Sequence, residues 1–250
     1  MPTSEIAGST ALVTGASRGF GRDIATALSG IGAQVVGVAR DGAQLRELRT
    51  ELGESFTPVT ADAADSTVAG QLIDAYRPAI LVLNAGATPL PRPIQHQSWQ
   101  TFSRNWDVDV QHVFHWMREA LLAPLAPGSP VIAVSSGAAL RGSPLPGGYS
   151  GAKATIRFIT SYAAAESERD GLGITFVSVL PQLTPATALG AVGVAAYAAR
   201  QSVDVPTFLA DLGPALSPER AGKAVADLVT GRRHDQGAYL LTAAGMSPVS

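Results

Sequence analysis

A tyrosine and a lysine four residues apart, Tyr149 and Lys153, are the pair in this 250-residue chain best suited to proton chemistry. On a helix they share a face, one turn from each other. An ammonium beside a phenol favours the phenolate and draws a tyrosine down from its ordinary value of about 10. A phenol tuned in this way serves as a general acid or base near neutral pH. Ser136 stands thirteen residues before the tyrosine, with Ser135 as its competitor. A serine hydroxyl arriving from a strand end would hold a substrate oxygen beside the phenol. Tyr-x-x-x-Lys also occurs on ordinary helix faces, so the pair takes its weight from the elements that must position it.

The first of those elements is an apolar, β-prone run at 10–14 (TALVT), followed at once by Gly15-Ala16-Ser17-Arg18-Gly19-Phe20-Gly21. A helical stripe of Ile24, Ala27, Leu28 and Ile31 comes next. In a strand–turn–helix context such glycines have separate tasks. Gly15 takes the tight turn, Gly19 lets the backbone approach a pyrophosphate, and Gly21 lets the helix pack close to the strand. The helix N-terminus then faces the phosphates. A second strand is expected at 34–39, and its end is where a dinucleotide fold meets the adenosine ribose. The acidic residue that would bond a 2′-hydroxyl is missing there: Ala39 is followed by Arg40, and Arg18 offers a second cation from the turn. Two arginines and no carboxylate favour a 2′-phosphate, hence NADP(H) over NAD(H). Asp41 reads as the cap of a helix over 41–52.

Further strands are expected at 55–60, 79–83, 130–135, 173–180 and 237–242, with helices at 66–76, 98–125, from Tyr149 to residue 170, and from Pro218 behind the cap Ser217. The run 79–83 (AILVL) is continuously apolar, the mark of a strand buried on both faces. Strands alternating with helices predict an α/β fold: a Rossmann-type, doubly wound parallel sheet of about seven strands with helices on both faces. No linker or repeat divides the chain, so residues 1–250 read as a single domain. After the third strand, Asp62 and Ala63 close towards the adenine, although Asp62 equally suits a turn. Residues 183–216 combine alanine-rich helix with Pro185, Pro206 and Pro214, and a loop or lid over about 182–216 would shape substrate choice. The proline- and glycine-rich segment 140–148 would form another wall.

Thr14-Gly15-x-x-x-Gly19-x-Gly21, Asn84-Ala85-Gly86, Ser136 and Tyr149-x-x-x-Lys153 together resemble the short-chain dehydrogenase/reductase family, in its single-domain branch of roughly 250 residues. The resemblance covers essentially the whole chain. It implies a catalytic set of Ser136, Tyr149 and Lys153, and its spacing favours Ser136 over Ser135. It implies an NADP(H) site made by Gly15, Ser17, Arg18, Gly19, Phe20, Gly21, Arg40, Asp62, Ala63, Asn84, Ala85, Gly86, Tyr149, Lys153, Pro181 and Thr184. Family members usually carry an asparagine where this chain has Asp109, and that asparagine bends a helix and holds a water linked to the catalytic lysine. Asp109 is therefore expected to support the same relay with an altered proton affinity. Gln182 replaces a usual glycine after Pro181. Thr184, with Thr187 as its rival, is expected to meet the nicotinamide carboxamide. A homodimer or homotetramer through the two long helices is the family expectation.

Composition excludes other classes. A net charge of −2 gives no electrostatic case for nucleic acid or an anionic membrane. The absence of cysteine removes disulfides and thiolate zinc sites. The four histidines (His96, His112, His115, His234) show no ligand spacing, and Asp109, His112 and His115 read as polar positions on a helix, so no metal is expected. Residues 1–9 have neither a basic start nor an apolar segment. The stretch 186–199 is too mildly apolar to span a bilayer. The expectation is a cytoplasmic NADP(H)-dependent carbonyl reductase or alcohol dehydrogenase. Leu140, Leu145, Trp106, Leu183 and Leu189 are expected as walls for an apolar substrate, with Arg141 as a possible carboxylate partner. The rival is a non-catalytic NADP(H)-binding sensor, to which the departures at Asp109 and Gln182 lend weight.

Overall fold

Alternation of side chains along short apolar strands decides the layers of this molecule. The computed structural model describes residues 6–231 and 237–249. His234 and residues 1–5, on which part of the reading above rests, lie outside the described residues. In β1 (Thr10–Thr14), Ala11 and Val13 enter one core while Leu12 enters the other. In β4 (Ile80–Leu83), Ile80 and Val82 face the first core, and Leu81 and Leu83 the second. A strand with both faces covered this way must be apolar throughout, as these are.

The remaining strands are β2 (Gln34–Ala39), β3 (Phe56–Thr60), β5 (Pro130–Val134), β6 (Thr175–Pro181), β7 (Ala238–Thr242) and β8 (Gly245–Pro248). They form one sheet in the order β3-β2-β1-β4-β5-β6-β7-β8. Strands β1 to β7 pair in parallel, with Leu12 opposite both Val36 and Leu81. The chain steps outward from β1 to β2 and β3, then crosses back to β4. The crevice between β1 and β4 at the strand carboxyl ends is where such sheets take ligands. The eighth strand is an addition to the expected seven. It folds back antiparallel on β7, with Thr242 opposite Gly245 and the latter at φ +129°. Its sequence, Gly-Met-Ser-Pro, carries little β preference of its own.

On the first face lie α1 (Gly19–Gly30), α2 (Gly42–Leu52) and, from the far end of the chain, α10 (Pro218–Thr230). On the second lie α3 (Val68–Tyr76), α5 (Gln111–Leu122) and α7 (Gly147–Arg169), with α4 (Trp99–Asn105) packed against α7 and the short α6 (Ala138–Arg141) preceding it. The helix expected over 98–125 is interrupted: a π-helical turn, Trp106–Val110, separates α4 from α5. The wider turn resets the register, and Asn105, Asp109 and His112 all become buried. The helix expected to open at Tyr149 begins two residues earlier, at Gly147. Finally, α8 (Ala188–Arg200) and α9 (Val205–Leu212) pair into a hairpin with its own small cluster of Val194, Ala198 and Phe208.

Candidate active site

The glycine turn is fixed by the residue before it. Thr14 is fully buried at the end of β1, and its Oγ1 accepts hydrogen bonds from Asn84 N at 2.9 Å and Ala85 N at 3.2 Å. His112 Nε2 lies 3.0 Å from the same hydroxyl, and Val82 O lies 3.3 Å away. The Asn84 side chain returns the tie, donating to Thr14 O at 3.2 Å and Gly15 O at 3.3 Å. At Gly21 a Cβ would stand 2.2 Å from Gly15 O, so only glycine brings α1 this close to the turn. Gly15, at φ +67°, needs the left-handed region as well. Arg18 precedes α1 in an extended conformation, without a capping side chain, and the first turn of α1 has no acidic residue. Its leading amides therefore offer a ready anion site.

The second group of residues surrounds Lys153. This lysine is buried on α7, one turn after Tyr149, with Nζ 5.6 Å from the centre of the tyrosine ring. Nζ donates to Val134 O at 3.2 Å and forms an ion pair with Asp109 Oδ2 at 3.2 Å. Burial opposes the ammonium, but the Asp109 carboxylate and Tyr149 outweigh it and leave Lys153 above the ordinary lysine value. Asp109 is 1% exposed and also accepts from Ala87 N at 2.7 Å. Gly86 makes room for it, since a Cβ there would lie 3.0 Å from Oδ2. His112 is driven down to about 3, by burial first and by the nearby Lys153 second, so it is neutral at any working pH.

The two serines after β5 have different surroundings. Ser135 Oγ is spent on Lys153 O at 2.7 Å, tying α7 to the strand end. Ser136 Oγ accepts from Ala138 N at 3.2 Å and keeps its own hydrogen to give. Thr184 Oγ1 donates to Leu216 O at 2.7 Å and accepts from Ala186 N at 3.2 Å, so its donor is already engaged. Thr187 caps α8 with its oxygen, accepting from Gly190 N, and retains a hydrogen for a ligand. Of the two threonines, Thr187 is the one whose hydroxyl hydrogen is not engaged. Gln182 lines the cavity, and its Nε2 donates to Pro214 O at 2.9 Å.

One cavity of about 1190 Å³ joins these groups. Gly15, Ser17, Arg18, Gly19, Phe20, Arg40, Asp62, Ala63, Asn84, Ala85 and Gly86 line one part of it. Asp109, Ser136, Tyr149, Lys153, Pro181 and Thr184 line the rest. Gly21 does not reach the cavity, and its close contact with Gly15 is its part in the site. Asp41 caps α2 by accepting from Ala43 N and Gln44 N, both at 3.1 Å. Asp62 accepts from Ala64 N at 3.0 Å, and Trp116 Nε1 secures the same loop by donating to Ala63 O at 2.9 Å. Arg40 and Asp62 approach to 4.0 Å with both side chains largely in solvent, a pairing of little energetic weight. Gln44, which the sequence reading passed over, brings to this end a buried Oε1 without a hydrogen-bond partner among the described residues. That orphaned acceptor, the uncapped amides of α1 and the two exposed arginines fit the adenosine and phosphate parts of a dinucleotide.

Among the expected walls, Leu140, Leu183 and Leu189 line the cavity. Leu145 and Trp106 do not: Leu145 is buried elsewhere, and the Trp106 ring lies over Gly151 on α7. Tyr197 and Phe208, from α8 and α9, join the wall instead, with parallel rings 6.2 Å apart. Tyr197 hydrogen-bonds Ser143, in the segment that precedes α7. Neither aromatic carried a sequence signal, because their pairing depends on the α8–α9 hairpin. Among the described residues no group of three or more His, Asp or Glu could hold a metal, and no helix is long and apolar enough to cross a membrane.

A family model described as short chain dehydrogenase matches residues 9–194. The chain is 30% identical over 182 residues to L-xylulose reductase of Bos taurus, covering 72% of this chain and 74% of that protein. It is 30% identical over 161 residues to carbonyl reductase [NADPH] 2 of Sus scrofa, covering 64% and 66%. Among solved structures, a dehydrogenase/reductase from Sinorhizobium meliloti 1021 is similar with a TM-score of 0.78 and 27% identity over 94% of each chain. A short chain dehydrogenase from Burkholderia cenocepacia J2315 in complex with NADP has a TM-score of 0.78 at 24% identity, covering 93% of this chain and 95% of that one.

Proposed function

The chain belongs to the short chain dehydrogenase family, and from that premise we propose that it is an NADP(H)-dependent oxidoreductase interconverting a ketone or aldehyde with its alcohol. The observation that carries this reading is the single cavity onto which both the glycine turn and the Ser136, Tyr149 and Lys153 side chains open. Gly15, Ser17, Arg18, Gly19 and Phe20 would hold the pyrophosphate at the start of α1. Arg18 and Arg40 would take a 2′-phosphate, and Asp62 and Ala63 would border the adenine. Asn84, Ala85, Gly86, Tyr149 and Lys153 would flank the nicotinamide ribose, with Pro181 and Thr184 or Thr187 beyond. The bound cofactor supplies the hydride in reduction and accepts it in oxidation.

The chain's own residues handle the oxygen and the proton. Ser136 donates to the carbonyl oxygen and fixes its direction, and Tyr149 gives its proton to that oxygen as charge develops there. Lys153 stabilises the charge left on the phenol. Asp109 anchors the ammonium and joins the relay that returns a proton. Positioning of the two reactants supplies much of the rate.

The name of the pig relative, a carbonyl reductase that carries NADPH, supports the cofactor preference. The walls Leu140, Leu183, Leu189, Tyr197 and Phe208 favour an apolar ketone or secondary alcohol, in contrast to the sugars named for the xylulose reductases. Phe114 on α5 with Phe158 and Tyr162 on α7 expose apolar surface suited to a homodimer or homotetramer. A monomer mass in light scattering would contradict that assembly.

Fluorescence titration with NADPH and with NADH, followed by a ketone panel, tests the activity. Tighter NADPH binding and turnover of apolar ketones are expected. Preference for NADH would overturn the arginine argument. Binding without turnover of any carbonyl would turn the reading to a cofactor-binding sensor.

A further inference from the structure

Beside the ion pair between Asp109 and Lys153 lies a buried amide that does not line the cavity. Asn105 closes α4 and is 2% exposed. Its Nδ2 donates to Ala87 O at 2.8 Å and stands 3.4 Å from both oxygens of Asp109. Ala87 N, in turn, donates to Asp109 Oδ1 at 2.7 Å, while Oδ2 faces Lys153 Nζ at 3.2 Å. A carboxylate only accepts, so Asp109 cannot serve the buried Ala87 carbonyl, and the amide one turn earlier supplies the missing donor. The same nitrogen stands equally distant from both oxygens of the carboxylate.

We propose that Asn105 is a positioning residue for the reaction centre, holding the Asp109 carboxylate in the rotation that presents Oδ2 to the ammonium beside Tyr149. The proposal rests on the reading of Tyr149 as the general acid or base. It deepens that reading by assigning to the Asn105–Asp109 pair a task that one side chain cannot perform. The charged group facing the carboxylate is Lys153 from α7, which itself lies beside Tyr149 and near the neutral His112 of α5. Segment 84–87 brings only amides and carbonyls to it, apart from the Asn84 side chain, which is turned to the glycine turn.

The test compares wild type, N105A and the near-isosteric N105D, with Y149F as reference. In N105A, kcat falls about tenfold while the NADPH Kd stays within about twofold, because orientation and not cofactor binding is lost. In N105D one of the two buried carboxyls keeps its proton until higher pH, so kcat gains a new ionisation and declines as pH rises through it. The tyrosinate absorbance of Tyr149, read as each protein minus its Y149F counterpart, titrates at higher pH in N105D than in wild type. That readout needs no substrate. Wild-type kcat, pH profile and tyrosinate titration in both variants, even with a lowered Tm, would reduce Asn105 to a structural amide and overturn the proposal. Full turnover in Y149F would instead remove the tyrosine reading, whatever the Asn105 variants do.

Discussion

At the scale of single residues, the chemistry turns on compensation of charge. The Lys153 ammonium beside Tyr149 is balanced by Asp109 at 3.2 Å, in a site where neither group reaches water freely. Asparagine at 109 would keep one oxygen, for Ala87 N–H, but would lose the second acceptor that faces Lys153 together with the balancing charge. We expect D109N to move alcohol oxidation to lower pH, because the uncompensated ammonium favours the deprotonated tyrosine that oxidation needs. An identical pH–rate profile would take Asp109 out of the relay. His112 gives a separate prediction about stability. Its folded value, about 3, lies below the unfolded value of 6.5, so the unfolded chain binds a proton that the folded chain refuses between those limits. The stability from keeping His112 neutral is complete above pH 6.5 and is lost as pH falls towards 3, at up to about 1.4 kcal/mol per pH unit. Replacement by glutamine (H112Q) should flatten the decline of Tm between pH 7 and 4, whereas an equally steep decline would contradict the assignment.

At the scale of elements, the site is exact because helices meet at backbone distance. A Cβ on Gly148 would lie 2.0 Å from Phe102 O, so α4 and α7 touch with nothing between them, one residue before Tyr149. Alanine there must push the helices apart. We expect G148A to cost about 1–3 kcal/mol by thermal denaturation and to lower kcat more than it changes the NADPH Kd. Unchanged Tm and kcat would show that the contact yields without consequence. Much of this scale was legible in the sequence. Apolar runs marked β1, β4 and β5, and the glycines after β1 announced the turn, since those signals are local. The form of the π-helical turn, beyond the bend the resemblance implies at position 109, and the eighth strand were not legible. The first follows from Asp109 meeting Lys153 and Ala87 across the fold, and the second from pairing with β7 of a segment that has little preference of its own. The burial of Asn105 and His112 was missed as well, the first at the end of α4 and the second in the register that follows the π-helical turn.

At the scale of the whole molecule, the strand order does the gathering. The crossing from β3 to β4 opens the crevice that receives the glycine turn and Asn84, while β5 delivers Ser136 and β6 leads to the α8–α9 hairpin. Two faces of covered apolar strands make this frame stiff, and the wall built by Tyr197 and Phe208 sits on the hairpin with its own small cluster. That places the proposed determinants of substrate choice on a hairpin with a cluster of its own. The central claim is that Tyr149 performs the proton transfer in a cofactor-bound frame that does not need it for assembly. The most direct measurement is turnover of the best ketone by Y149F with NADPH, alongside its NADPH Kd. The account predicts a loss of kcat of at least about a hundredfold, as expected for removal of a general acid, with the Kd nearly unchanged. Wild-type turnover in Y149F would contradict it.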